Sequence, residues 1–319
     1  MILAQLIHIG FNFWDDRPNS YEVELFSDRL AADHLRCDDE TWNLTLQTLA
    51  DSGANMVILD LGEGLRFESC PELAVPDAWT KERLAGELTR LRAMGLTPIP
   101  KINFSACHDA WMGEYQRMIG TAAYYDFCKN IIAEALELFG KPEYFHIGMD
   151  EENARLQRHL SHCVIRQHEL WYRDLNFYAE HASRTGARPW MWSDKIWEDE
   201  ENFVKNVSRD ILQSNWYYGL DLFGEREPLP GEKNFNRPEH ITYFEKLGRA
   251  GFDQVPAGSN YANTENMELL GKYSAEKIDA SRLKGLMQTT WFPTIQANNQ
   301  RMVEAAQQLG RAGEHLKAL

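Results

Sequence analysis

Cysteine is scarce in this chain. There are five (Cys37, Cys70, Cys107, Cys128 and Cys163), odd in number and with no C-x-x-C pair. That excludes a disulfide framework and a zinc knuckle. It fits a reducing compartment, hence a cytoplasmic location, although export behind a cleaved signal stays open. No apolar run approaches the ~18 residues of a membrane span. The opening MILAQLIHIGFNFWDD has no basic n-region and no small-residue cleavage site, and it reads as a first strand. A basic excess is also lacking: 33 Lys and Arg against 48 Asp and Glu give a net charge of −15. Such a chain repels phosphate backbones and anionic bilayers, so neither nucleic acid nor membrane is expected as a partner. Neither H-x-H nor H-E-x-x-H occurs, so the metalloenzyme spacings are missing.

What is present is alternation. Apolar strand candidates fall at 6–14, 56–61, 97–104, 144–150, 188–194, 211–217, 254–261 and 285–291. Several are almost continuously apolar, as strands covered on both faces should be. Helical spacing lies between them. Leu84, Leu88, Leu91 and Met94 share one face within 81–94, and Ile132, Leu136 and Phe139 share another within 130–139. Further helices are expected at about 40–52, 164–185, 237–250, 264–277 and 295–312. Eight βα units in 319 residues predict one domain over 1–319, a (β/α)8 TIM barrel of the α/β class. The competing open doubly wound sheet is weakened by the absence of G-x-G-x-x-G after the first strand.

In a barrel the chemistry sits where the strands end. Those ends are polar and aromatic: Asn12-Phe13-Trp14, Asp60-Leu61-Gly62-Glu63, Asn103-Phe104-Ser105 with His108, Asp150-Glu151-Glu152, Trp192-Ser193-Asp194, Asn215-Trp216-Tyr217-Tyr218, Tyr261-Ala262-Asn263 and Thr290-Trp291. Aromatic planes stack on the C–H face of a sugar, and carboxylates and amides bind its hydroxyls. A carbohydrate substrate is the expected partner. Asp150 and Glu151 are the focus. Two close carboxyls raise each other's proton affinity, so one can act as a general acid. Neighbours on a strand point to opposite faces; both reach one pocket only if the chain turns there, which Gly148 would ease.

The run 144–151, Tyr-Phe-His-Ile-Gly-Met-Asp-Glu, resembles the His-x-Gly-Gly-Asp-Glu signature of glycoside hydrolase family 20, the β-N-acetylhexosaminidases, with Met149 in place of a glycine. The resemblance implies a (β/α)8 barrel that is exo-acting on β-linked 2-acetamido-2-deoxy sugars. It implies a retaining, substrate-assisted mechanism in which the acetamido oxygen is the internal nucleophile. Glu151 would be the acid/base, and Asp150 would orient the acetamido group and steady its positive charge. Trp190 or Trp192 matches the family's strand 5 tryptophan, Trp216 that of strand 6 and Trp291 that of strand 8. Tyr261 and Asn263 resemble a strand 7 Tyr-x-Asp, and His108 resembles a pocket histidine. No cofactor or metal is implied. Three features depart from the family. Pro293 stands where a glutamate follows the strand 8 tryptophan. No arginine ends the first strand, and Arg66 is the candidate replacement. The family's common N-terminal α/β domain has no counterpart here.

Three other readings of the residues stay open. One is a non-catalytic carbohydrate-binding barrel. Another is a glycosidase with a carboxylate nucleophile at Asp60, Glu63 or Asp194. The third is a metal site built from His8, His108 and His146 with Asp60, Asp150, Glu151 and Asp194. The Gly- and Pro-rich segment 223–238 is expected to cap the pocket, and a homo-oligomer contact at Leu220 and Phe223 is compatible with the sequence.

Overall fold

A computed structural model describes residues 1–16, 29–158, 160–224, 226–227 and 236–317. Eight parallel strands carry the architecture: β1 (Ile2–His8), β2 (Met56–Asp60), β3 (Thr97–Lys101), β4 (Tyr144–His146), β5 (Arg188–Trp192), β6 (Leu212–Ser214), β7 (Ala257–Ser259) and β8 (Gly285–Thr289). Their ladder runs β6-β5-β4-β3-β2-β1-β8-β7. Its two outer strands meet through the bridges Gln213–Gln254 and Trp216–Ala257, closing a (β/α)8 barrel. Nine helices surround it among the described residues: α1 (Asp39–Asp51), α2 (Lys81–Ala93), α3 (Ala122–Leu138), α4 (Ala154–Gln157), α5 (Glu169–Ser183), α6 (Glu200–Asn206), α7 (Thr242–Arg249), α8 (Asn266–Lys277) and α9 (Asn299–Glu314).

The two-residue period of a strand sorts the apolar side chains into two cores. Ala4, Leu6, Met56, Ile58, Ile99, Trp190, Leu212 and Met287 fill the barrel interior. Val57, Leu59, Phe145 and Met191 point outward and pack with Trp42 and Leu46 of α1, Leu84 and Leu88 of α2, and Ile132 and Leu136 of α3. Acidic caps start the helices as expected: Asp38 accepts from the Thr41 amide before α1, and Asp199 accepts from that of Asn202 before α6. The spacing predicts a helix over 130–139, but α3 begins eight residues earlier, where Thr121 caps it.

The strands start close to where the apolar runs predict, within a few residues, and stop sooner. The predicted 144–150 shortens to Tyr144–His146, 211–217 to Leu212–Ser214 and 254–261 to Ala257–Ser259. The remaining apolar and aromatic residues leave the ladder and turn over the mouth of the barrel. Leu220 is buried, so it offers nothing to a second copy; Phe223 is exposed against Tyr273. Most of the expected pocket cap, 228–235 together with 225, lies outside the described residues.

Candidate active site

The pocket floor begins inside the barrel. The strand register sets His8, Asp60, Lys101 and His146 side by side. Lys101 Nζ lies 2.5 Å from Asp60 Oδ2, and His8 Nδ1 lies 3.2 Å from the same oxygen. Burial resists ionisation of Asp60, but Lys101 and then His8 outweigh it and hold the carboxyl below its ordinary range. Burial drives His8 down, so it stays neutral. Burial, with Lys101 adding to it, takes His146 down to about 3, and its Nδ1 accepts the Gly148 N–H at 3.1 Å.

Above this layer the chain after β4 turns sharply. Gly148, Met149 and Glu151 have φ of 72°, 77° and 57°. That is the left-handed region, which costs a non-glycine residue roughly 1 kcal/mol or more. A Cβ at Gly148 would collide with Asn103, so only glycine fits. Asn103 Oδ1 accepts from the Met149 amide at 3.2 Å, and its Nδ2 donates to Asp150 Oδ1 at 2.8 Å. Ser105 Oγ donates to the Asp150 carbonyl at 2.5 Å. Behind the turn, buried Arg166 clamps Glu152 and also donates to the Phe104 carbonyl.

The turn brings both carboxylates to one imidazole. His108 Nε2 lies 3.2 Å from Asp150 Oδ2 and 3.3 Å from Glu151 Oε2. Burial disfavours the imidazolium, yet Asp150 and then Glu151 raise His108 to about 10. In return His108, then Lys101 and Asn103, overcome the burial of Asp150 and bring it to about 2. Asp194, at the end of β5, behaves in the opposite way. Burial, reinforced by the negative charge of Asp150, lifts it to about 8. Its Oδ2 accepts the Glu151 N–H at 2.8 Å, and the Trp216 indole lies 3.4 Å from Oδ1. One atom each of His108, Asp150 and Glu151 also lies within 4.8 Å of the others, but an imidazolium paired with two carboxylates has no lone pair to offer a cation.

Aromatic rings enclose these acids. Trp291, itself at φ 56°, lies 6.2 Å from Trp14, 5.8 Å from Trp192 and 5.7 Å from His8 between ring centroids. Trp14 stands edge-on to His108 at 5.0 Å. Trp291 Nε1 donates to Tyr218 Oη at 2.9 Å, and Tyr218 stacks on Trp216 at 5.1 Å. Of the two strand 5 tryptophans, Trp192 reaches this wall. Trp190 lies deeper, donating to Ser214 at 2.8 Å.

Not every expected residue joins them. Arg66 is exposed and donates to the Pro76 carbonyl. Arg29 is the cation that reaches the wall, lying 4.8 Å over the Trp14 ring and 3.4 Å from Tyr261 Oη. The chain after β1 returns there because Asn12 pairs with both backbone groups of Ala32. Asn263 is buried and donates to the Tyr218 carbonyl, so it supports the wall from behind. Asp60 is engaged by Lys101, and Glu63 accepts the amides of Phe11 and Asn12 at 2.6 and 3.0 Å. Sequence reasoning passed over Arg29. Asn103 and Tyr218 were visible only as strand-end residues, and Asp194 as a strand-end acid read as a candidate nucleophile or metal ligand.

Fold and site together define a (β/α)8 barrel with a paired carboxylate at its C-terminal face under an aromatic wall. No protein-family model matches the chain, and no curated protein matches it in sequence. Solved structures do. It is similar to the β-N-acetylhexosaminidase from Bacteroides fragilis NCTC 9343, with a TM-score of 0.61, 12% identity, and coverage of 96% of this chain and 65% of that one. It is similar to the family 20 β-N-acetylhexosaminidase from Streptomyces coelicolor A3(2), with a TM-score of 0.63, 11% identity, and 95% and 63% coverage. With Dispersin B the values are 0.57, 13%, and 86% and 94%. The chain spans less than two thirds of the first two. Its fold is similar to that of the hexosaminidase barrels.

Proposed function

We propose that this protein, read as one catalytic barrel, is a glycoside hydrolase, exo-acting on β-linked 2-acetamido-2-deoxy sugars with retention of configuration. The observation that carries this is the convergence of Asp150 and Glu151 on His108 beneath Trp14, Trp192 and Trp291. The hexosaminidase names of the similar barrels support it.

Glu151 gives its proton to the glycosidic oxygen as the C1–O bond breaks. The substrate's acetamido carbonyl oxygen attacks C1 from the opposite face and closes an oxazolinium ring. Asp150, held ionised by His108 despite its burial, accepts the acetamido N–H and steadies the positive charge where it develops. Glu151, now a base, takes a proton from water as that water attacks C1 and reopens the ring. Trp192, Trp216, Tyr261 and Trp291 hold the sugar by its C–H faces, while Arg29 and His108 contact its polar groups. None of these steps calls for a cofactor.

Glu151→Gln is the test. Turnover of an aryl 2-acetamido β-glycoside is expected to fall by roughly 10²–10⁴-fold, while sugar binding, followed by tryptophan fluorescence, persists. A wild-type protein that binds the sugar and never releases the aryl group would make this a binding barrel.

A further inference from the structure

We propose that Asp194 is a positioning residue that holds Glu151 in its pocket-facing conformation and ties that conformation to the aromatic wall. The proposal rests on the hydrolase reading above and deepens it.

Glu151 is held at three places. Its carbonyl accepts from the Asn153 amide and side chain at 2.7 and 3.0 Å. Its carboxylate meets His108. Its N–H, the group that fixes how the peptide is rotated, goes to Asp194 Oδ2 at 2.8 Å. A left-handed φ of 57° is not where a glutamate settles unaided. It persists because the surroundings fix it, and among the described residues Asp194 supplies the hydrogen bond that reaches this residue from outside the β3 and β4 loops. The neighbouring residue is anchored separately: Glu152 is clamped by Arg166 and accepts the Ala106 amide. Loss of Asp194 therefore leaves the loop attached and frees the Glu151 peptide to rotate.

The other oxygen of Asp194 faces Trp216 Nε1. Trp216 stacks on Tyr218, and Tyr218 takes the Trp291 indole N–H. A continuous set of contacts thus runs from the proton donor to the ring that walls the sugar. Asp194 also carries a titration. Asp150 and Glu151 face it from the β4 loop, and His108 stands beyond them on the β3 loop. Trp216 faces it from the end of β6, and Lys195 on its own turn is paired with Glu198. No cation lies in ion-pair range of Asp194 among the described residues. Its proton therefore leaves only as pH passes about 8, placing a second negative charge beside Asp150.

Two measurements decide the proposal. The first needs no activity. In the free wild-type protein, the Glu151 amide resonance is followed by nitrogen–proton NMR as pH rises. It is expected to move with a midpoint near pH 8, and to lose that transition in Asp194→Asn and Asp194→Ala. The second is turnover. Asp194→Ala is expected to lower kcat on the order of 10–100-fold while KM stays within about threefold, since a misplaced catalytic group costs rate before binding. Asp194→Asn, which keeps an acceptor for the amide, recovers part of that loss. An amide that ignores pH and both substitutions, or a kcat within about twofold of wild type, overturns the proposal. If the wild-type protein cleaves no 2-acetamido glycoside, the hydrolase reading fails, and the NMR titration still decides whether Asp194 holds Glu151.

Discussion

Two buried carboxyls, one on β2 and the other just after β5, are treated differently. Asp60, inside the barrel, has Lys101 at 2.5 Å and is held ionised. Asp194, at the rim, has only N–H donors and the carboxylates of its neighbours, so it keeps its proton to about pH 8. In the first arrangement charge meets charge. The second is unbalanced, with three carboxyls, Asp150, Glu151 and Asp194, around a single imidazolium. Folding alone gains nothing from that crowding. Perturbed acids gathered in a cleft are instead what proton transfer requires.

The sharpest way to break the contrast is at Lys101. Lys101→Met leaves Asp60 charged, buried and beside a neutral His8. The expected cost is about 3–5 kcal/mol in urea unfolding, and Lys101→Met with Asp60→Leu together should recover most of it. A loss below about 1 kcal/mol in the single variant would show that Asp60 simply takes up a proton.

A smaller effect comes from pH. The folded pKa of Asp194, about 8, stands above its ordinary 3.8. Between those values the folded protein keeps a proton that the unfolded chain has released. Stability from this group is therefore complete below pH 3.8 and declines as pH climbs to 8, by up to about 1.4 kcal/mol per pH unit. Asp60 and Asp150, both lowered, act in the other direction and withdraw stability only in acid. Glu63, raised to about 7, and His108, raised to about 10, slope the same way, so Asp194→Asn should reduce the fall in stability seen by denaturant titration at pH 5, 6.5 and 8 without abolishing it; an unchanged slope would remove Asp194 as a contributor.

The smallest effect is expected at the arginines' expense. Arg66→Ala, at an exposed site bonded to a backbone carbonyl, should leave kcat/KM within about twofold, as surface changes generally do. Arg29→Ala should raise KM several-fold. The reverse ranking would return the pocket cation to Arg66.

The barrel was legible because apolar runs and helical spacing are local. Met56–Asp60 and Thr97–Lys101 are read almost as they stand. The strand ends were not, because Phe11, Phe13, Trp14 and Ile147 look like strand yet line or support the pocket. Asp150 and Glu151 could be picked out as adjacent residues after a glycine. Lys101 could not, since only strand register reveals its partner across β2. The same holds for Arg29, which meets Tyr261 from the other end of the chain, and for Asp194, whose bond to Glu151 spans 43 positions. Long-range pairs of this kind leave no mark in residue spacing.

The central claim is that the substrate's own acetamido group does the nucleophilic work beside an ionised Asp150. Its most direct test is the rate of aryl release from an aryl 2-acetamido-2-deoxy-β-glucoside against the matching aryl β-glucoside, measured on the same wild-type preparation. The account predicts release from the first and none above background from the second. Equal rates, or cleavage of the plain glucoside alone, would contradict it and require a carboxylate nucleophile instead.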